Sequence, residues 1–144
     1  MKKIYYIAYG SNLHLGQMAH RCPNATIVGT ATLKNWRLMF KGSKSGNYAT
    51  IEPCIGESVP VLIWELTPTD ERSLDRYEGF PTFYFKQTIP VLVNGQEIDA
   101  MAYLMRLDAK VGYPSQFYIQ TLAKGYRDFG FDMAILKDAL QRCS

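Results

Sequence analysis

Asn94-Gly95 constrains the fold of this chain more than any other pair of residues. A two-residue hairpin turn of type I′ needs positive φ at both central positions, and Asn followed by Gly meets that need. The dipeptide therefore predicts an antiparallel hairpin of Phe83 to Val93 with Ile98 to Leu107. Other strand patterns precede it. The apolar run Ile4 to Ala8 reads as a buried strand. Thr26 to Leu33 and Trp36 to Phe40 read as two strands about a tight turn at Lys34-Asn35. Tyr48 to Glu52 and Val59 to Leu66 follow, separated by Pro53 to Ser58, while the polar, Gly-rich stretch Lys41 to Asn47 reads as a loop.

Helical segments lie between and after these strands. Thr67-Pro68-Thr69-Asp70 is a helix opening: Thr67 as N-cap, Pro68 at the first helical position, Asp70 bonding back to the cap. That helix runs to Tyr77-Glu78 and ends at Gly79. His14 to Arg21 reads as a short helix stopped by Pro23. Pro114 to Tyr126 is amphipathic, with Tyr118, Leu122 and Tyr126 on one face. Asp132 caps a last helix that carries Met133, Leu136 and Leu140. Six or seven strands and about four helices make an α+β chain, in which the strands either curl into a barrel or lie open.

Length and composition exclude several classes. A chain of 144 residues is the size of one domain, here residues 1–144, and buries roughly 68–70% of its unfolded surface without staples. The net charge of +3 comes from dispersed basic residues, so no nucleic-acid partner is expected. Cys22, Cys54 and Cys143 are odd in number and lack zinc spacing. They read as reduced thiols of a cytoplasmic protein. His14 and His20 are six apart, on different helix faces, so no metal pair is expected. Met1-Lys2-Lys3 precedes an apolar run too short for a signal peptide. No stretch reaches the ~20 apolar residues of a membrane span.

Two local features carry chemistry. Tyr9-Gly10-Ser11-Asn12-Leu13 joins a strand to a helix. Gly10 is free of side-chain restrictions, and Ser11 and Asn12 are residues that cap helices. Backbone N–H groups left unpaired in such a turn form an anion pocket. An ordinary turn of the same composition is the alternative. The second feature is Glu78, a carboxylate at a helix C-terminus, where the helix dipole disfavours an anion. Tyr77, Phe80, Pro81, Phe83, Tyr84 and Phe85 surround it in sequence. Such an environment raises a carboxyl pKa and suits a general base near neutral pH. A solvent-facing Glu is the alternative. Asp70, Glu71 and Asp75 are explained by capping and solvation, and Glu97 and Asp99 by exposure beside the hairpin. Cys22 and Cys54 read equally as core residues or nucleophiles.

Together these features resemble the γ-glutamylcyclotransferase family (AIG2-like superfamily). The resemblance rests on Tyr9-Gly10-Ser11-Asn12-Leu13 followed downstream by Leu74-Asp75-Arg76-Tyr77-Glu78-Gly79. It continues through Ala49-Thr50-Ile51, Tyr84, Tyr103-Leu104 and Pro114-Ser115-Gln116-Phe117-Tyr118, and spans about Ile4 to Tyr126. It implies a small mixed β-barrel flanked by helices. It also implies release of 5-oxoproline from γ-glutamyl amines or γ-glutamyl amino acids, without metal or cofactor. On that basis Tyr9, Gly10, Ser11, Asn12 and Leu13 hold the γ-glutamyl group, Glu78 is the acid/base, and Tyr84, Tyr103 and Tyr118 line the pocket. The chain lacks the Gly-Thr-Leu of the γ-glutamylamine branch and the Phe-Gly-Tyr-Gly-Ser-Leu of the glutathione-specific branch, so it resembles the general group more. A small-molecule substrate and, among assembly states, a homodimer are the partners expected. A non-catalytic small-molecule-binding protein on the same fold, and a thiol enzyme, are the rival readings.

Overall fold

The computed structural model describes residues 3–43 and 45–143. Met1 and Lys2 of the basic amino terminus, and Lys44 of the expected 41–47 loop, lie outside the described residues. Among the described residues six strands form one sheet: β1 (Ile4–Ala8), β2 (Thr26–Ser43), β3 (Gly46–Leu66), β4 (Phe85–Val93), β5 (Gln96–Leu104) and β6 (Lys110–Val111). Their order is β4-β5-β1-β3-β2-β6. All neighbours are antiparallel except β1 and β5, which run parallel. Among the described residues four α-helices flank the sheet: α1 (Leu15–Arg21), α2 (Pro68–Glu78), α3 (Gln116–Asp128) and α4 (Met133–Arg142). The expected α+β architecture is present, with the sheet curled into a half-barrel. The curl brings the β4–β5 hairpin tip to β2, where Asn94 Nδ2 donates to Val28 O at 3.0 Å.

The hairpin turn is as expected, with φ of 51° at Asn94 and 76° at Gly95. The pair Lys34-Asn35 is not a turn. β2 continues through it, because Asn35 adopts φ 68° and alone faces residues 54–57 of β3. Gly56, at φ 88°, donates its N–H to Asn35 Oδ1 at 3.1 Å. This bulge is what separates the two halves of β3, and it bends two strands far longer than usual. The 41–47 segment is likewise mostly ladder, with pairing out to Ser43 and Gly46. The hairpin strands are displaced from their expected bounds. β4 begins at Phe85 because Phe83 N–H is turned back to Gly79 O at 2.8 Å. β5 ends at Leu104 because Met105 N–H bonds Thr50 Oγ1 at 2.9 Å. The short β6, absent from the strand pattern, pairs with Lys41 and Gly42.

α2 is bounded as expected. Thr67 and Asp70 form the reciprocal cap, and Gly79 ends the helix at φ 68°. α3 starts at Gln116 with Ser115 as cap, and Asp132 caps α4. α1 differs: Ser11 and Asn12 do not cap it. They belong to a 3₁₀ turn, Ser11–Leu13, and His14 Nδ1 caps α1 by accepting from Gln17 N–H. Among the described residues one hydrophobic cluster forms the core, with members from both faces of the sheet and from the helices, including Ile7, Leu38, Leu62, Ile63, Leu74, Leu122 and Tyr126. Among the described residues no helix is long and apolar enough to cross a membrane.

Candidate active site

β1 and β5 run parallel, so their carboxyl ends open at the same end of the sheet. Tyr9 follows β1 and Tyr103 lies near the end of β5, and Tyr9 Oη donates to Tyr103 O at 2.5 Å. A cavity of about 260 Å³ opens at this point. Tyr9, Gly10, Ser11, Asn12, Glu78, Tyr84, Tyr103 and Tyr118 line it. The structure thus brings together every expected site residue but one. Leu13 is fully buried away from the cavity, in the space left by the absent side chain of Gly125. Tyr6, Ser45, Tyr48, Ala49, Tyr77 and Phe83 also line the cavity. Strand alternation gave no reason to single out Tyr6 or Tyr48 from ordinary core aromatics. Phe80 and Phe85, neighbours of Glu78 in sequence, are exposed and outside the lining.

Gly10 has φ −127° and ψ −126°, so left-handed backbone is not what requires glycine here. Room is. A Cβ at this position would meet Ala49 Cβ at 3.2 Å and Tyr118 Oη at 3.3 Å. The turn closes through Leu13 N–H to Gly10 O and His14 N–H to Ser11 O, both 3.0 Å. The N–H groups of Gly10, Ser11 and Asn12 find no acceptor among the described residues, and all three residues line the cavity.

The tyrosines are pinned by their hydroxyls. Tyr84 Oη donates to Ala49 O at 2.7 Å, and Tyr118 Oη accepts from Ala49 N–H at 3.0 Å. Tyr6 Oη accepts from Asn12 Nδ2 at 2.8 Å, and Tyr103 Oη donates to Asp75 Oδ1 at 2.5 Å. Tyr6 and Tyr118, as acceptors, keep their own hydroxyl protons available. Burial pushes the pKa of Tyr6, Tyr9, Tyr84, Tyr103 and Tyr118 upward, so these groups stay neutral and act as hydrogen-bond donors.

Glu78 is the carboxylate among the described lining residues. It is half-buried and receives no hydrogen bond among the described residues. Burial raises its pKa from an ordinary 4.5 to about 7, against a small opposing pull from Arg21. The other acids of α2 are not simply solvated. Lys86 Nζ lies 2.8 Å from both Glu71 Oε2 and Asp75 Oδ1. The thiols lie outside the cavity: Cys22 is buried, donates to Asp70 O, and burial pushes its pKa to about 12. Cys54 Sγ donates to Glu57 Oε2 at 3.1 Å. Neither has the setting of a nucleophile.

A family model described as gamma-glutamyl cyclotransferase, AIG2-like, matches residues 6–120. The chain is similar to human gamma-glutamylcyclotransferase, at 29% identity over 89% of this chain and 72% of that protein. It is also similar to the mouse protein of that name, at 31% identity over 87% and 71% of the two chains. A solved structure called gamma-glutamyl cyclotransferase superposes with a TM-score of 0.85 at 26% identity, covering 99% of this chain and 89% of its own.

Proposed function

We propose, from the premise that this chain belongs to the gamma-glutamyl cyclotransferase, AIG2-like family, that it releases 5-oxoproline from a γ-glutamyl amine or γ-glutamyl amino acid. The observation that carries the proposal is Glu78. It is a half-buried carboxylate without a hydrogen-bond partner among the described residues, and it shares one cavity with the unpaired N–H groups of the turn.

The reaction is intramolecular. The substrate's α-amine attacks its own γ-carbonyl, a C–N bond forms, and the bond to the leaving amine breaks. The nucleophile is tethered to the electrophile, so folding the substrate into attack geometry supplies much of the acceleration. Glu78 takes a proton from the attacking ammonium and returns it to the leaving amine. Its pKa of about 7 suits both transfers. Gly10, Ser11 and Asn12 N–H groups, with the hydroxyls of Tyr6 and Tyr118, supply donors for the substrate carboxylate and the developing oxyanion. A protein that only bound such a ligand would gain little from a carboxylate that has no partner among the described residues and shares its cavity with a cluster of donors. Three free thiols accord with a reducing compartment, and we place the protein in the cytoplasm on that support.

The test is a panel of γ-glutamyl amides and dipeptides assayed for 5-oxoproline. Release from at least one compound, abolished when its α-amine is acetylated, is expected. Cleavage of the acetylated compound at a similar rate would mark hydrolysis instead, and no release from any member would remove the assignment.

A further inference from the structure

Arg21 ends α1, outside the described cavity lining, and no step above uses it. Its surroundings are nonetheless built. Nη1 donates to Asn12 Oδ1 at 2.6 Å and reaches Ser11 Oγ at 3.5 Å, while Nη2 donates to Gln17 Oε1 at 2.8 Å. The guanidinium lies 3.6 Å over the ring of Tyr77, the residue preceding Glu78. Tyr77 Oη in turn lies 3.5 Å from Ser11 Oγ. One planar cation therefore touches both parts of the site: the donor turn on one side and the end of α2 on the other.

We infer that Arg21 is a positioning residue that clamps the Tyr9–Leu13 turn to the end of α2 carrying Glu78. This rests on the function proposed above. The clamp has a chemical logic. Asn12 uses both ends of its amide on protein, taking Arg21 at Oδ1 and giving Nδ2 to Tyr6 Oη. Arg21 thereby fixes which way the amide faces, and the amide fixes the hydroxyl of Tyr6 at the cavity. Stacking on Tyr77 sets where the last turn of α2 sits. A guanidinium can stack and hydrogen-bond in its plane at once, which an ammonium cannot. Arg21 also contributes positive charge near Glu78. The other titratable groups coupled to Glu78 are Tyr6 from β1, Tyr9 from the turn, Tyr84 ahead of β4, Tyr103 from β5 and Tyr118 from α3. Among the described groups that act on Glu78, Arg21 is the cation.

Two variants separate geometry from charge. In Arg21→Lys the charge stays and the stacked fork is lost. We expect kcat/KM for 5-oxoproline release to fall roughly 10- to 100-fold, the scale of a misplaced group, with the acid limb of the pH profile unmoved. In Arg21→Met both are lost, so the fall should come with an acid limb displaced to higher pH. Wild-type kcat/KM in Arg21→Lys would overturn the clamp. Carboxyl ¹³C NMR titration of Glu78 without substrate provides a readout independent of turnover. Its midpoint should rise in Arg21→Met and hold in Arg21→Lys, and an unmoved midpoint in Arg21→Met would overturn the coupling. Should wild type release no 5-oxoproline, the proposed function fails by itself while this titration still decides whether Arg21 acts on Glu78. If Arg21→Met fails to fold, Arg21→Lys and its titration carry the decision.

Discussion

Glu78 links activity and stability through one physical cause. Its carboxyl is held at about 7 because the cavity wall desolvates the charged form. As the proposed base, it must be ionised, so kcat/KM should rise with pH through about 7 and level above it. Glu78→Gln removes the proton acceptor without changing size. General acid–base catalysis contributes ~10²–10⁴-fold, so kcat should fall by about that factor in a 5-oxoproline assay. The same residue costs stability when ionised. The folded state holds a proton that the unfolded chain has released between about 4.5 and 7, so stability falls as pH rises across that window. Glu78→Gln should therefore melt higher than wild type at pH 8, by roughly 1–3 kcal/mol. The difference should shrink toward pH 4.5, as read from paired melting curves. Gly10 acts by absence. Gly10→Ala would press a methyl on Ala49 and the Tyr118 hydroxyl, so activity should drop more than tenfold while the melting temperature moves by a few degrees, on the scale of ~1–3 kcal/mol of overpacking. Unchanged turnover in this variant would show that the Tyr118 hydroxyl need not sit where it does.

Among the elements, α2 and α3 hold the site by different means. α2 is anchored along its length. Its cap closes at Thr67 and Asp70, and Lys86 of β4 sits between Glu71 and Asp75. Tyr103 of β5 donates to Asp75, three residues before Glu78. α3 is held by packing. A Cβ on Gly125 would stand 2.5 Å from Leu13 Cβ and 3.1 Å from the Leu13 backbone. A helical glycine is itself unfavourable by about 1 kcal/mol relative to alanine, and here the close approach of the 3₁₀ turn offsets that. Gly125→Ala should therefore destabilise by roughly 1–3 kcal/mol in spite of its better helix propensity. It should also lower activity, since the turn it displaces carries the donors. A denaturant titration showing increased stability would mean that the turn moves freely to accommodate the methyl.

On the scale of the whole molecule, the long β2–β3 ribbon holds a buried ion network at its bent half. Lys41 Nζ donates to Glu52 Oε2 at 2.7 Å and to Leu107 O at 3.0 Å, while Arg37 reaches Glu52 Oε1 at 2.6 Å. Burial alone would raise the Glu52 pKa, but the bonds from Lys41 and Arg37 outweigh it and the net shift is downward. The stability this contributes is present above the unfolded carboxyl value and is lost as pH falls through the lower folded one. Lys41→Met would leave a buried carboxylate with half its partners. We expect a loss near or below the lower end of the ~3–5 kcal/mol typical of a broken buried pair, since Arg37 remains. The loss should be smaller at acid pH, measured by melting at pH 7 and pH 4.

What local sequence determined were the features whose physics is local. Asn94-Gly95 turns because both residues accept positive φ, and Thr67 to Asp70 caps because its bonds lie within one turn. Gly79 ends α2 for the same reason as any left-handed glycine. Glu78 stood out because a helix end already disfavours an anion. The bulge at Asn35 reads as a turn in the sequence, since positive φ at one asparagine serves either structure, and only the partner strand decides which. Ser11 and Asn12 read as caps in the sequence because the same side chains suit a cap and a cavity wall, whereas His14 is the cap. Leu13 reads together with its neighbours, although a missing Cβ on Gly125, 112 residues onward, is what takes it into the core. The roles of Tyr6 and Arg21, and the removal of Phe80 and Phe85 from the cavity, follow from how β1, α1 and α2 meet. Contacts of that kind depend on chain closure over tens of residues, and no pattern of spacing along the chain encodes them.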